Sequence, residues 1–387
     1  MKTIRALAKR FVMVVIPSVI FSVLLVPSYG RPAETLPPAS KDQTIMLALL
    51  LDTSNSMDGL IDQAKSQLWK IVNELAAAKC NDGSRPNIKI ALYEYGNDNL
   101  PASEGYIRQV NGLTDDLDLI SEKLFALSTN GGAEFCGYVI KTSLSQLAWS
   151  ASKADLKIIF IAGNEPFTQG GVPFREACAL AKEKGVVVNT IFCGNYNEGL
   201  RTDWKSGADI TGGSYMSIEQ DRKTVYIPTP YDDRIDACND RLNNTYVYYG
   251  ATGAYKKENQ ASQDKNAESY SRENKVERAV SKSSHAYKNS TWDLVDATKD
   301  NEKVLMETKE EELPKEMKGM TMEQRKAYVK QKADERKTIQ LEIQSLNKKR
   351  MEYIAAHTSQ GNKEAMLDAA MINAIKQQAK TKDLTWK

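Results

Sequence analysis

Ile45-Met46-Leu47-Ala48-Leu49-Leu50-Leu51-Asp52-Thr53-Ser54-Asn55-Ser56-Met57-Asp58-Gly59 is the stretch on which the reading of this chain turns. Residues 45–51 are apolar without polar alternation, the pattern of a strand covered on both faces and therefore central in a parallel sheet. Beyond the loop, Met57, Leu60, Ile61, Ala64, Leu68, Ile71, Val72 and Leu75 recur at three- and four-residue steps, the stripe of an amphipathic helix. Between the two lie Asp52, Ser54 and Ser56 at alternate positions. One carboxylate and two hydroxyls on such a turn supply hard oxygen ligands converging on a point. An oxygen-only set suits magnesium, calcium or manganese rather than zinc. Short Asp/Ser strings also cap helices, and Ser56 as a plain cap is the blander reading. The seat of the string between a buried strand and an amphipathic helix favours the metal loop.

The alternation continues. Ile88 to Tyr95 reads as a strand, Tyr106 to Val110 as a shorter one, and Leu117 to Leu127 as a helix led by Asp115 and Asp116. Tyr138 to Trp149 is a helix, Leu156 to Ala162 a buried strand, Phe174 to Lys184 a helix ended by Gly185, and Val186 to Cys193 a strand. Trp204 to Ile210 reads as a helix and Ser214 to Ile218 as an edge strand. This order predicts an α/β fold, a doubly wound, mostly parallel sheet flanked by helices, followed by a mainly helical C-terminal region. Ligands on such sheets bind where loops leave the carboxyl ends of the strands.

With this motif in this position, the chain resembles the von Willebrand factor A (VWA) family, whose metal-ion-dependent adhesion site carries Asp-x-Ser-x-Ser at the end of the first strand. The resemblance covers residues 44–218 in element order and is most specific over 44–75. It implies two further loops. The second, Thr129-Asn130-Gly131-Gly132-Ala133-Glu134, offers Glu134 as a ligand and Thr129 as the weaker candidate; a Gly-rich turn with a glutamate favouring a helix N-terminus is the alternative. The third, Ala162-Gly163-Asn164-Glu165-Pro166, has Asn164 where the family usually has aspartate. Asn164 can ligate through its carbonyl or hold a water, and the lost charge should weaken metal affinity.

What the resemblance implies for function is a metal-dependent adhesion or assembly module. A divalent cation, Mg2+ first with Ca2+ or Mn2+ as alternatives, would grip an Asp or Glu carboxylate on a protein partner, and loops 97–106, 165–172 and 195–203 would select among partners. The alternative is a scaffold that assembles through its C-terminal helices, with metal only stabilising the fold. An enzyme is not expected: His285 and His357 are the only histidines and lie outside the α/β region. The pairs Asp115/Asp116 and Asp232/Asp233 are adjacent residues whose side chains point apart. Cys136, just past the Gly-rich turn, is the one thiol a helix N-terminus would acidify, against the plainer reading of a buried or disulfide-bonded cysteine.

Composition narrows the rest. A formal net charge of +2 over 387 residues gives no electrostatic reason to expect nucleic acid. Lys2, Arg5, Lys9 and Arg10 ahead of the apolar run 11–26, with Ser28-Tyr29-Gly30 beyond it, read as a cleaved signal peptide over 1–30. An uncleaved anchor is the alternative and would be the sole membrane contact. The expected location is exported, periplasmic or cell-envelope associated. Cys80, Cys136, Cys178, Cys193 and Cys238 make an odd count with no zinc-like spacing.

The segment plan is then a linker over 31–42, the VWA-like domain over 43–220, a Tyr-rich helical extension over 221–254 with a helix at Asp232 to Asn243, and a charged, partly flexible helical region over 255–387. Within the last, Ala261 to Ser290 reads as flexible for want of apolar residues. Met322 to Ala355 is a strong helix former, and Ala365 to Ala379 a final helix. Ile339, Ile343 and Leu346 follow heptad spacing until Arg350 interrupts it, so a coiled coil competes with a helix packed on its own domain.

Overall fold

β1 (Thr44–Asp52) is the axle of the molecule. In the computed structural model, which describes residues 43–222, 226–357 and 366–386, it pairs in parallel with β2 (Asn87–Tyr95) on one side and β4 (Leu156–Gly163) on the other. Leu47 stands level with both Ile90 and Ile158. β5 (Val187–Cys193) and β6 (Tyr215–Ile218) continue the parallel sheet beyond β4, and β3 (Ile107–Thr114) closes the other edge antiparallel to β2. The order is β3-β2-β1-β4-β5-β6. Connections leave β1 in opposite directions, so the carboxyl ends of β1 and β4 flank the crevice where such sheets place ligands. The signal-peptide and linker readings over 1–42 lie outside the described residues.

The uninterrupted apolar run of β1 follows from two coverings. Ile45, Leu47, Leu49 and Leu51 face α1 (Asp58–Ala76) and α2 (Leu117–Phe125), while Ala48 and Leu50 face α3 (Cys136–Gln146) and α4 (Phe174–Glu183). The short α5 (Tyr196–Arg201) and α6 (Trp204–Thr211) complete the second face, where Trp204 is wedged among Phe167 and Phe192. β3 runs four residues past the expected Val110. Two register shifts against β2 break its alternation, and such bulges also blunt an edge against further pairing.

The C-terminal half departs from its expected plan. α8 (Gly253–Tyr270) and α9 (Arg272–Lys282) lie on α1 and α2, with α7 (Asp232–Asn243) packed on α9, and Ala267, Val276 and Ala279 belong to the same core as Ile45 and Leu47. The segment 261–290, expected as flexible, is therefore mostly helix. Its order comes from buried polar pairing that a hydrophobicity count does not register. Arg278 is fully buried: it bonds Asp264 at 2.9 Å and Asp118 of α2 at 2.7 Å, with its guanidinium 4.4 Å from the Trp69 ring centroid. Lys282 reaches the same Asp264 at 2.8 Å, and the two cations hold that carboxyl well below the usual range against the opposing effect of its burial.

After α10 (Leu294–Asp300) and α11 (Val304–Glu307), the long α12 (Met322–His357) buries Ile339, Ile343, Leu346 and Arg350 against α7 and α9. The coiled-coil alternative is thereby corrected. Arg350 does not interrupt the buried stripe; it continues it, bonding Asp232 at 3.1 Å and Glu277 at 2.7 Å. α13 (Leu367–Ala379) packs on α1, and beyond it Trp386 Nε1 donates to the Glu74 carbonyl at 2.8 Å. The described residues make one compact unit. Ile235 and Leu242, beyond the expected boundary at 220, and Ala267 and Val276, beyond that at 254, share a core with Ile45 and Leu47. Among the described residues no helix is long and apolar enough to cross a membrane.

Candidate metal centre

Asp52 ends β1 with its carboxylate at the switch point. One oxygen, Oδ1, accepts the Ser54 amide at 2.8 Å; the other, Oδ2, is buried without a hydrogen-bond donor. Ser54 Oγ and Ser56 Oγ stand 3.3 Å apart. From the end of β4, Asn164 Nδ2 donates to Ser56 Oγ at 3.1 Å. Glu134, two residues before α3, is turned inward rather than toward that helix, and is buried beside Asp52. Its own amide is held by Gln169 Oε1 at 2.5 Å, and Glu165 N donates to its Oε2 at 3.4 Å. The structure thus brings Asp52, Ser54, Ser56, Glu134 and Asn164 to one rim. Thr129 is engaged elsewhere: its hydroxyl donates to Asp58 Oδ1, so the weaker of the two candidates on that loop is not directed at Asp52.

Close packing permits this convergence only where side chains are missing. Gly96, with φ +77°, follows β2 where an added Cβ would lie 2.8 Å from both Asp52 Oδ1 and Glu134 Cγ. Gly163 passes Asp52 so closely that a Cβ would lie 3.0 Å from Oδ2 and 2.5 Å from the Tyr95 hydroxyl. The β2 loop was expected to shape the rim for partners; it also forms an inner wall. The signal for that was Tyr95-Gly96-Asn97-Asp98 following a strand, in register with the end of β1.

Electrostatically the rim is strained. Burial, and then hydrogen bonding and repulsion from Glu134, push the Asp52 carboxyl well above the usual carboxylate range. Two carboxyl groups side by side with one oxygen lacking any donor fit a divalent cation, which would satisfy that oxygen and offset both charges. Among the described residues no group of three or more His, Cys, Asp or Glu is placed to hold a metal. A cation here would therefore rest on two carboxylates with hydroxyl and amide oxygens. Such a set consists of hard oxygen donors.

Nearby thiols do not change this. All five cysteines are free, and burial pushes the Cys136 thiol far up, opposite to what a helix N-terminus would do; it sits 3.8 Å from the Tyr95 hydroxyl. Nor do the carboxylate pairs suggest a second centre. Asp116 caps α2 and bonds Lys256 at 2.8 Å, and Asp232 is tied to Arg350.

No family model and no curated protein matches the chain. Solved structures do. A conserved hypothetical protein, BatB, from Bacteroides thetaiotaomicron is 16% identical over 45% of this chain and 90% of its own, with a TM-score of 0.35. The SpRpn10 VWA domain is 17% identical over 45% of this chain and 87% of its own, also at 0.35. Proximal thread matrix protein 1 of the mussel byssus, with a zinc-occupied MIDAS motif, is 15% identical over 47% of this chain and 43% of its own, again at 0.35. The sheet itself, with its antiparallel β3 and Asp52 at the carboxyl end of the central strand, gives residues 44–218 a doubly wound α/β fold.

Proposed function

We propose that this chain is a metal-dependent protein-binding module of the cell envelope. In this reading Asp52, Ser54, Ser56, Glu134 and Asn164 hold a divalent cation, Mg2+ first and Ca2+ or Mn2+ as alternatives. The observation that carries it is the buried, donorless Oδ2 of Asp52 beside Glu134 at the switch point of the sheet. When bound, the cation supplies charge and an open coordination position for an Asp or Glu carboxylate of a protein partner. The surrounding loops supply the selection. Tyr196, half exposed at the start of α5, and Asp221, exposed after β6, stand near the carboxyl ends of the strands, where a partner would meet them. Adhesion or assembly, not catalysis, is the chemistry this implies. The scaffold alternative loses its separate assembly module, since α12 and α13 are committed to the core.

Capture from an envelope extract with the full chain as bait tests the reading. Magnesium should retain a partner that chelator releases, and Asp52→Ala bait should fail to capture it in magnesium. Capture unaffected by chelation and by Asp52→Ala would overturn it.

A further inference from the structure

We propose that Asn97 is the positioning residue of this site, the amide that sets the Asp52 loop and the Glu134 turn at their working separation; the inference rests on the cation reading above. Asn97 is buried and follows Gly96 at the end of β2. Its Nδ2 donates to the Ser128 carbonyl at 2.9 Å, and stands 3.3 Å from the Thr53 carbonyl and 3.4 Å from Thr53 Oγ1. Its Oδ1 accepts the Asn99 amide at 3.0 Å. One side chain therefore joins three loops: the one carrying Asp52, Ser54 and Ser56, the one it belongs to, and the one leading to Glu134.

The backbone repeats the same triangle. Asn130 N donates to Thr53 O at 2.9 Å, Asp98 N donates to Gly131 O at 2.5 Å, and Gly132 approaches so closely that a Cβ would lie 2.5 Å from the Gly96 carbonyl. Those backbone bonds fix the neighbours of the turn, but the Asn97 amide is the side chain that ties Thr53, next to Asp52, to the residue preceding Thr129. Neither Asn97 oxygen nor nitrogen is directed at Asp52 Oδ2 or Glu134, so its effect on a cation passes through the groups it holds. Groups bonded directly to metal ligands typically alter affinity by about 10–100-fold when removed, and Asn97, one contact further out, is expected to act at the low end, about tenfold.

The test is calorimetric titration of Mn2+ alone into the full chain as wild type, Asn97→Ala and Asn97→Ser, with melting of each protein measured separately in chelator. Wild type should bind one Mn2+. Both variants should bind it at least about tenfold more weakly, while near-ultraviolet circular dichroism shows them folded. Asn97→Ser keeps a small hydroxyl in place of the amide, and serves if Asn97→Ala does not fold. Variants that melt lower yet bind Mn2+ as tightly as wild type would show a purely structural Asn97 and overturn the inference. A wild type that binds no Mn2+ overturns the cation reading itself, and the two failures are thus told apart.

Discussion

Alanine at Arg336 is expected to lower the unfolding free energy of the full chain by about 3–5 kcal/mol, the cost of leaving a buried charge without its partner. The guanidinium is 1% exposed and Asp293 wholly buried. Nη1 reaches Asp293 Oδ2 at 2.6 Å and Nη2 reaches Oδ1 at 3.1 Å, a two-pronged pairing. Nη1 also bonds Asp296 at 3.0 Å, Nε and Nη2 bond the hydroxyl and carbonyl of Thr245, and the plane lies 4.1 Å from the Tyr246 ring centroid. Asp293 meanwhile accepts the amides of Val247 and Asp296, so it cannot turn to water once Arg336 is gone. Urea unfolding should show the loss as a fall in midpoint. Lys205→Ala, at an exposed pair with Asp209, should leave that midpoint where it was. An Arg336→Ala midpoint equal to wild type would mean that α12 is not held to the domain through this residue.

Asp52→Asn is expected to stabilise the protein in chelator while removing any stabilisation by cation. Burial and Glu134 raise the folded-state pKa of Asp52, so its favourable contribution is full below the unfolded value of about 3.9 and is lost as pH rises through the raised one. At neutral pH without a cation, Asp52 therefore weakens the fold. Asparagine carries no charge into that site and can donate to Glu134. In chelator the variant should melt higher than wild type at pH 7, and the gap should close as pH is lowered toward 4. With millimolar magnesium the order should reverse, because only wild type gains from a bound ion. A variant that melts lower than wild type in chelator at every pH would contradict the picture of an uncompensated carboxyl pair.

The half of the chain that the sequence describes well is the half held together by apolar patterns. Residues 45–51 form a strand without alternation because both faces are covered, and that covering is what an unbroken run encodes. β3 was underestimated because its two register shifts scramble the period on which the reading depends. Arg278 and Lys282 look like solvent-facing charges in any hydropathy reading; what buries them is Asp118 and Asp264, one of them 160 residues earlier in the chain. Arg350 shows the same limit more sharply, since the residue that spoils the heptad is itself a core contact. Asp52, Ser54 and Ser56, marked in the sequence by their spacing, and Glu134, marked by its Gly-rich approach, lie together on one rim. The hydroxyl of Thr129, the other candidate on that loop, bonds Asp58, a pairing that local sequence does not reveal. Asn97 was hidden for a related reason: its partners are main-chain atoms, which leave no mark in a sequence.

On the proposed reading, Asp52 and Glu134 together bind a divalent cation. Calorimetric titration of Mg2+ into the full chain, beside Asp52→Asn and Glu134→Gln, addresses it most directly. Wild type should show saturable binding to a single site, and each variant should lose it. Indistinguishable heats from all three proteins would mean that Asp52 and Glu134 hold no cation.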